Sequence, residues 1–202
     1  MSLLFTSDLH LGHANILPSR PQFSDIDEHD QYIINKWNKK VKASDEVYIL
    51  GDMIFRSSHS PSYYLENLKG RKHLIIGNHE DWMRRVDNLS EYFESVDYFK
   101  IIKFQKKQLV FSHYPMLEWP GSRYEDSKSY LVHGHIHASK NPQVYGHIKE
   151  CLPKSLNAAV DINGFVPVTF EELVENNDVW YERNKDNGNF FSMFDYFEDG
   201  MK

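Results

Sequence analysis

A single cysteine, Cys151, among 202 residues leaves no partner for an internal disulfide and no thiolate set for a zinc site, so its expected role is packing. No apolar run approaches the ~20 residues of a membrane-spanning helix, and no membrane partner is expected. The start of the chain lacks a basic segment followed by an apolar one. Met1-Ser2-Leu3 leads straight into a strand-like run, so a cytoplasmic location is expected. Cationic charge is also short: 23 Lys and Arg stand against 29 Asp and Glu, a formal net charge of −6. That disfavours a dedicated nucleic-acid binder, which needs clustered positive charge, and leaves nucleic acid only as a substrate. Bound divalent cations would still make one patch far more positive than the count implies. There is no internal repeat and no linker-like boundary. With 41% hydrophobic and 26% charged residues, the composition is that of one ordinary globular domain, long enough to bury a core without covalent staples.

What the chain has in quantity is histidine, 11 in all. His29, His59 and His147 lie in polar or helix-like stretches and are expected to be ordinary surface or hydrogen-bonded residues. His10, His79, His113, His135 and His137 follow a rule. Five short apolar runs, each with the β-branched or aromatic content of a buried strand, deliver a polar group at their ends. Leu3–Ser7 leads to Asp8 and His10, Val47–Leu50 to Gly51-Asp52, and Leu74–Ile76 to Gly77-Asn78-His79. Leu109–Ser112 leads to His113, and Tyr130–Val132, with His133 at the strand end, to Gly134-His135-Ile136-His137. Ligands of open α/β sheets bind beyond the carboxyl ends of strands, and five such endings in succession point to one site there.

Between the runs, Ile26, Ile33, Trp37 and Val41 have helical spacing over residues 25–42, with Ser24 and Asp27 as a capping box. Shorter helices are expected over 61–69 and 81–89, and a capped one from Thr169 and Glu172 to about residue 176. Lys106-Lys107 reads as the tip of a hairpin joining Ile101–Phe104 to Leu109–Phe111, so the sheet is partly antiparallel. Residues 1–181 are therefore expected to form one α/β domain. Residues 182–202, rich in Phe and Tyr, are expected to be an extension, either partly disordered, packed on the domain, or joining a second copy of the chain.

Asp, Asn and His without thiolate suit Mn²⁺, Fe²⁺, Zn²⁺ or Ni²⁺. Two histidines at i and i+2 diverge and fit two neighbouring metals better than one, and Asp8 and His10 share that spacing. His13 and Arg20, in the loop after these ligands, are expected to touch substrate. Tyr114-Pro115-Met116 is expected to line the same side, and Trp119 to pack in the core.

Asp8-x-His10, Gly51-Asp52, Gly77-Asn78-His79-Glu80, His113 and Gly134-His135-x-His137 occur in the order that marks the calcineurin-like metallophosphoesterase superfamily. The resemblance covers residues 8–137. It implies a four-layer αββα sandwich with two central mixed β-sheets and a site holding two divalent ions, Mn foremost, with Fe, Zn, Ni or Mg as alternatives. Asp8, His10, Asp52 and His137 would hold one ion; Asp52, Asn78, His113 and His135 would hold the other, with Asp52 bridging. Such ions sit about 3.5–4 Å apart. The implied reaction is attack on phosphorus, in line, by a solvent molecule deprotonated between them. His79 would stabilise the transition state or protonate the leaving oxygen. Arg56 stands where protein phosphatases of the superfamily place a phosphate-contacting arginine, in Gly-Asp-x-x-Asp-Arg. Phe55 departs from that pattern, replacing the aspartate that pairs with the catalytic histidine. The compact form resembles small bacterial or phage phosphodiesterases, so a diester is the expected substrate. A phosphomonoester, or a non-catalytic metal-binding scaffold of the same fold, are the alternatives.

Overall fold

The computed structural model describes residues 1–138, 144, 148–149 and 151–184. Two four-stranded sheets carry the chain. The first contains β1 (Leu3–Thr6), β2 (Glu46–Ile49), β3 (Arg71–Ile75) and β4 (Phe93–Asp97), in that spatial order. Its strands pair parallel throughout, and an isolated antiparallel bridge joins Phe5 to Val168 at the β1 edge. The second contains β5 (Phe99–Phe104), β6 (Lys107–Ser112), β7 (Ser129–His133) and β8 (Ser155–Asn157), again in sequence order. Here β5 and β6 are antiparallel, whereas β6, β7 and β8 run parallel. The β5–β6 hairpin turns at Gln105 and Lys106, both with positive φ (47° and 64°), as a two-residue type I′ connection requires.

Helices α1 (Ile26–Lys40) and α2 (Pro61–Asn67) connect β1 to β2 and β2 to β3. Ile33, Ile34 and Trp37 of α1 and Tyr64 and Leu65 of α2 join Leu4, Val47, Ile49 and Leu74 in one core on the first sheet's outer face. Between the sheets, Phe5, Tyr48 and Ile75 meet Phe111, Val132 and Leu156. Alternate residues of the second sheet, Val110 and Leu131, face outward beneath Trp119, which is core as expected. Helix α3 (Phe170–Asn184) lies against β1 and β8, a strand of each sheet, and adds Phe170 and Leu173 to the inner core. Among the described residues no helix is long and apolar enough to cross a membrane.

Four expectations shift. The α1 cap is Asp25, whose side chain accepts from Glu28 N at 2.8 Å, while Glu28 returns a carboxylate to Ser24 N and Oγ, both at 2.7 Å. The capping pair therefore lies one residue on from Ser24 and Asp27. The segment expected as a helix over 81–89 instead forms two 3₁₀ stretches, Glu80–Arg85, closed by Val86 N donating to Met83 O at 3.1 Å, and Leu89–Glu91, capped by Asn88, whose side chain accepts from Ser90 N at 3.2 Å. The helix capped by Thr169 and Glu172 continues to Asn184, since Asn177, Trp180 and Tyr181 give it a further buried face. It thereby crosses the boundary expected at residue 181. The remainder of the expected extension, residues 185–202, and His147 lie outside the described residues. Cys151 is exposed rather than packed.

Candidate metal centre

Each predicted ligand sits just past a strand that positions it. Asp8 and His10 follow β1, Asp52 follows β2, and Asn78 and His79 follow β3, so the first sheet supplies five groups. His113 follows β6, and His135 and His137 follow β7, so the second supplies three. The turns are tightly stitched. Asp8 N and His10 N donate to Gly51 O and Asp52 O at 3.0 Å each, and Gly134 N donates to His113 O at 2.9 Å. His135 N donates to the Asp8 carboxylate at 3.0 Å, and His79 N to Asp52 Oδ1 at 3.0 Å. A Cβ on Gly134 would lie 1.7 Å from Ser7 Oγ, and one on Gly51 2.3 Å from His113 Nδ1, so only glycine lets the strand ends approach this closely. Asp8, His10, Asp52, His135 and His137 all have positive φ, from 48° to 70°. Left-handed backbone at non-glycine residues costs roughly 1 kcal/mol or more each and gathers at functional sites.

Two clusters result, Asp8 with His10 and His137, and Asp52 with His113 and His135, each with ligand atoms within 4.8 Å of one another. In the first, His137 Nε2 lies 3.2 Å from His10 Nε2 and 3.5 Å from Asp8 Oδ1. In the second, Asn78 Oδ1 lies 3.0 Å from both His113 Nε2 and His135 Nδ1. Asp52 stands between them. Its Oδ2 is 3.6 Å from His10 Nε2, and its Oδ1 is 3.5 Å from His113 Nε2.

The ring tautomers show what these atoms fit. His113 Nδ1 faces only an acceptor, Leu50 O, at 2.7 Å, and therefore carries the proton. His137 Nδ1 likewise donates to Asp161 Oδ2 at 2.8 Å. With Nδ1 so committed, each ring aims Nε2 into its cluster, where the lone pair of the neutral form would meet another atom able to offer one, His10 Nε2 or Asn78 Oδ1. Such converging acceptors match a divalent cation. Burial pushes the Asp8 carboxyl up and the His10 imidazole down, in each case by penalising the charged form. A cation reverses this at Asp8 by stabilising the carboxylate. His137 is raised although burial opposes it, because Asp8 and Asp161 outweigh the burial.

His79 is partly exposed, with Nε2 3.9 Å from Asp52 Oδ2. Phe55, at the position where an aspartate partner is absent, packs on it with ring centroids 4.0 Å apart. His13 meets the other side of this group, 4.7 Å from the Phe55 ring and with Nδ1 3.4 Å from His10 Nδ1. Arg56 is exposed and lies over Phe55 at 5.0 Å. Tyr114 stands beside His113 and His135, at 4.9 and 4.7 Å between centroids.

Arg20, expected to touch substrate, is instead fully buried. Its side chain turns away from the cleft because main-chain carbonyls and the Asp161 carboxylate satisfy it from within. His29, expected to be an ordinary surface or hydrogen-bonded residue, is buried beside it with both ring nitrogens hydrogen-bonded, to Arg20 and Asp30. Asp161 was missed, yet it obeys the rule that revealed the others, since Ala158-Ala159-Val160 is an apolar run ending in an aspartate. Glu80 has no role in the sequence reading. It accepts from Met53 N and Gly77 N at 3.1 Å each, and burial together with the nearby Asp52 pushes it up to about 8.

A family model for calcineurin-like phosphoesterases matches residues 1–194. An uncharacterised protein of Methanocaldococcus jannaschii is 29% identical over 173 residues, covering 84% of this chain and 87% of its own. The gene 66 protein of Mycobacterium phage D29 is 31% identical over 159 residues, covering 66% and 77%. Among solved structures, a protein of unknown function from Aquifex aeolicus superposes with a TM-score of 0.63 at 27% identity, over 86% of this chain and 97% of that one.

Proposed function

The chain belongs to the calcineurin-like phosphoesterases, and from that premise we propose that it hydrolyses phosphodiesters with a pair of divalent cations, Mn²⁺ foremost, held between its two sheets. The observation that carries this reading is Asp52, whose two oxygens address different ligand clusters. Asp8, His10 and His137 with Asp52 Oδ2 would hold one cation, and Asn78, His113 and His135 with Asp52 Oδ1 the other. When bound, the pair supplies positive charge against phosphoryl oxygens and acidifies water, so that a nucleophile is available near neutral pH.

The remaining steps belong to side chains. His79, beside Asp52 yet open to solvent, hands a proton to the leaving oxygen. Phe55 holds that ring in place by packing, the task an aspartate would do by hydrogen bonding. His13 and Arg56 line the same wall and contact the phosphate. Arg56 is the guanidinium at this wall among the described residues, Arg20 being committed elsewhere. One such charge suits the single negative charge of a diester better than the two of a monoester.

The test is turnover of bis(p-nitrophenyl) phosphate against p-nitrophenyl phosphate by Mn²⁺-loaded protein. The diester is expected to be the better substrate, and Asp52→Asn is expected to lower its turnover ~100-fold or more. Unchanged activity in Asp52→Asn sinks the dinuclear assignment, and a preference for the monoester sinks the diester reading.

A further inference from the structure

Arg20 has no donor left for a substrate. A guanidinium carries five N–H groups, and each has a partner here. Nε donates to Asp161 Oδ1 at 2.8 Å, and one Nη2 hydrogen to Asp161 Oδ2 at 3.3 Å. The other Nη2 hydrogen goes to Asp8 O at 2.7 Å, and the Nη1 pair goes to Leu9 O at 2.9 Å and His29 Nε2 at 2.7 Å. Because His29 accepts at Nε2, its Nδ1 carries a proton, donated to Asp30 Oδ1 at 2.8 Å. Asp30 Oδ2 in turn accepts from Gly12 N at 2.8 Å and Tyr64 Oη at 2.7 Å. The turn from Asp8 to Gly12 is thus held at Asp8 O and Leu9 O by Arg20, and at Gly12 N by Asp30. On the other side of the cleft, Asp161 accepts the Nδ1 proton of His137 at 2.8 Å.

We infer that Arg20 and Asp161 are positioning residues for one of the two cations, a role that rests on the dinuclear reading above. Asp161 fixes the His137 tautomer and aims its Nε2 into the Asp8–His10 cluster. Arg20 locks Asp161 in place and, through the same planar group, fixes the carbonyls of the turn that presents Asp8 and His10. One buried ion pair thereby sets the distance between the two arms of a single cation site. The Asn78–His113–His135 cluster has its own support, Leu50 O behind His113, and does not touch the pair.

The inference predicts a site-selective effect. In Asp161→Asn, the amide can present an N–H to His137 Nδ1, forcing the ring proton onto Nε2, where it opposes a cation. Calorimetric titration of the metal-free full chain with Mn²⁺ is expected to show two binding events in the wild type. In the variant, one is expected to weaken about 10- to 100-fold while the other stays within about threefold. Spin-coupled Mn²⁺ resonance should give way to a mononuclear signal at substoichiometric metal. Arg20→Lys, which keeps the charge but loses the fork, should weaken the same event less. Because a buried charge left unpaired can unfold the variants, the tautomer is also read in the zinc-loaded wild type by long-range ¹H–¹⁵N correlation, where His137 should carry its proton on Nδ1. Two unchanged affinities in Asp161→Asn, equal weakening of both events, or a His137 proton on Nε2 overturns the inference and leaves the dinuclear reading intact. A wild type that takes up no cation overturns both.

Discussion

Phe55 is the residue where this chain parts from the protein-phosphatase pattern, and its packing says what the departure does. An aromatic face 4.0 Å from His79 restricts the imidazole by shape rather than by charge. Phe55→Ala is therefore expected to lower kcat ~10-fold through misplacement of His79 while leaving Mn²⁺ affinity unchanged, a split that steady-state kinetics beside calorimetric titration reads directly. If metal affinity falls in parallel, Phe55 supports the cluster instead. At this scale the sequence was most legible where the chemistry is local. Aspartate, asparagine and histidine ending apolar runs identify themselves, and the structure gathers all seven ligand candidates with His79 around one cleft. Arg20 was not legible, because what decides its role is Asp161, 141 residues on; the apolar run before Asp161 marks a strand-end carboxylate, but nothing local to either residue marks their pairing.

Strands β1, β2, β3, β6 and β7 announced themselves by apolar content, whereas β4 and β8 did not. Phe-Glu-Ser-Val-Asp and Ser-Leu-Asn are too short and too polar to stand out, and they are strands because the parallel neighbours β3 and β7 supply the hydrogen bonds. The same dependence on partners explains α3. Asn176-Asn177-Asp178 looks like a helix stop, yet the Asn177 side chain accepts from Asn157 N at 2.8 Å and donates to Asn157 O at 3.0 Å, which carries the helix past it. Caps, being local, are predictable to within a residue. Asp25→Ala removes the acceptor for Glu28 N and is expected to cost about 1 kcal/mol, visible as a lower urea midpoint at unchanged slope. A midpoint equal to that of the wild type would assign the helix start to Ser24 and Glu28 alone.

Over the whole molecule, both ligand clusters draw from both sheets, so binding a cation there ties the sheets at their carboxyl ends as the Phe5–Phe111 core ties them inside. A ligand bound only by the folded state at 100 times its Kd adds about 2.7 kcal/mol, or roughly 5–10 °C in Tm for a domain of this size. Scanning calorimetry with saturating Mn²⁺ and with chelator is expected to differ by that much, and coincident transitions would argue against metal binding between the sheets. The left-handed backbone at Asp8, His10, Asp52, His135 and His137 has a longer-term consequence. Glycine relaxes such a position at no steric cost, so at these turns the substitutions that abolish the site are among those that ease the fold. A lineage released from selection on this site would find thermal robustness along the same path by which it lost its ligand candidates. With all five side chains in place, this chain holds backbone strain that glycine at those turns would release.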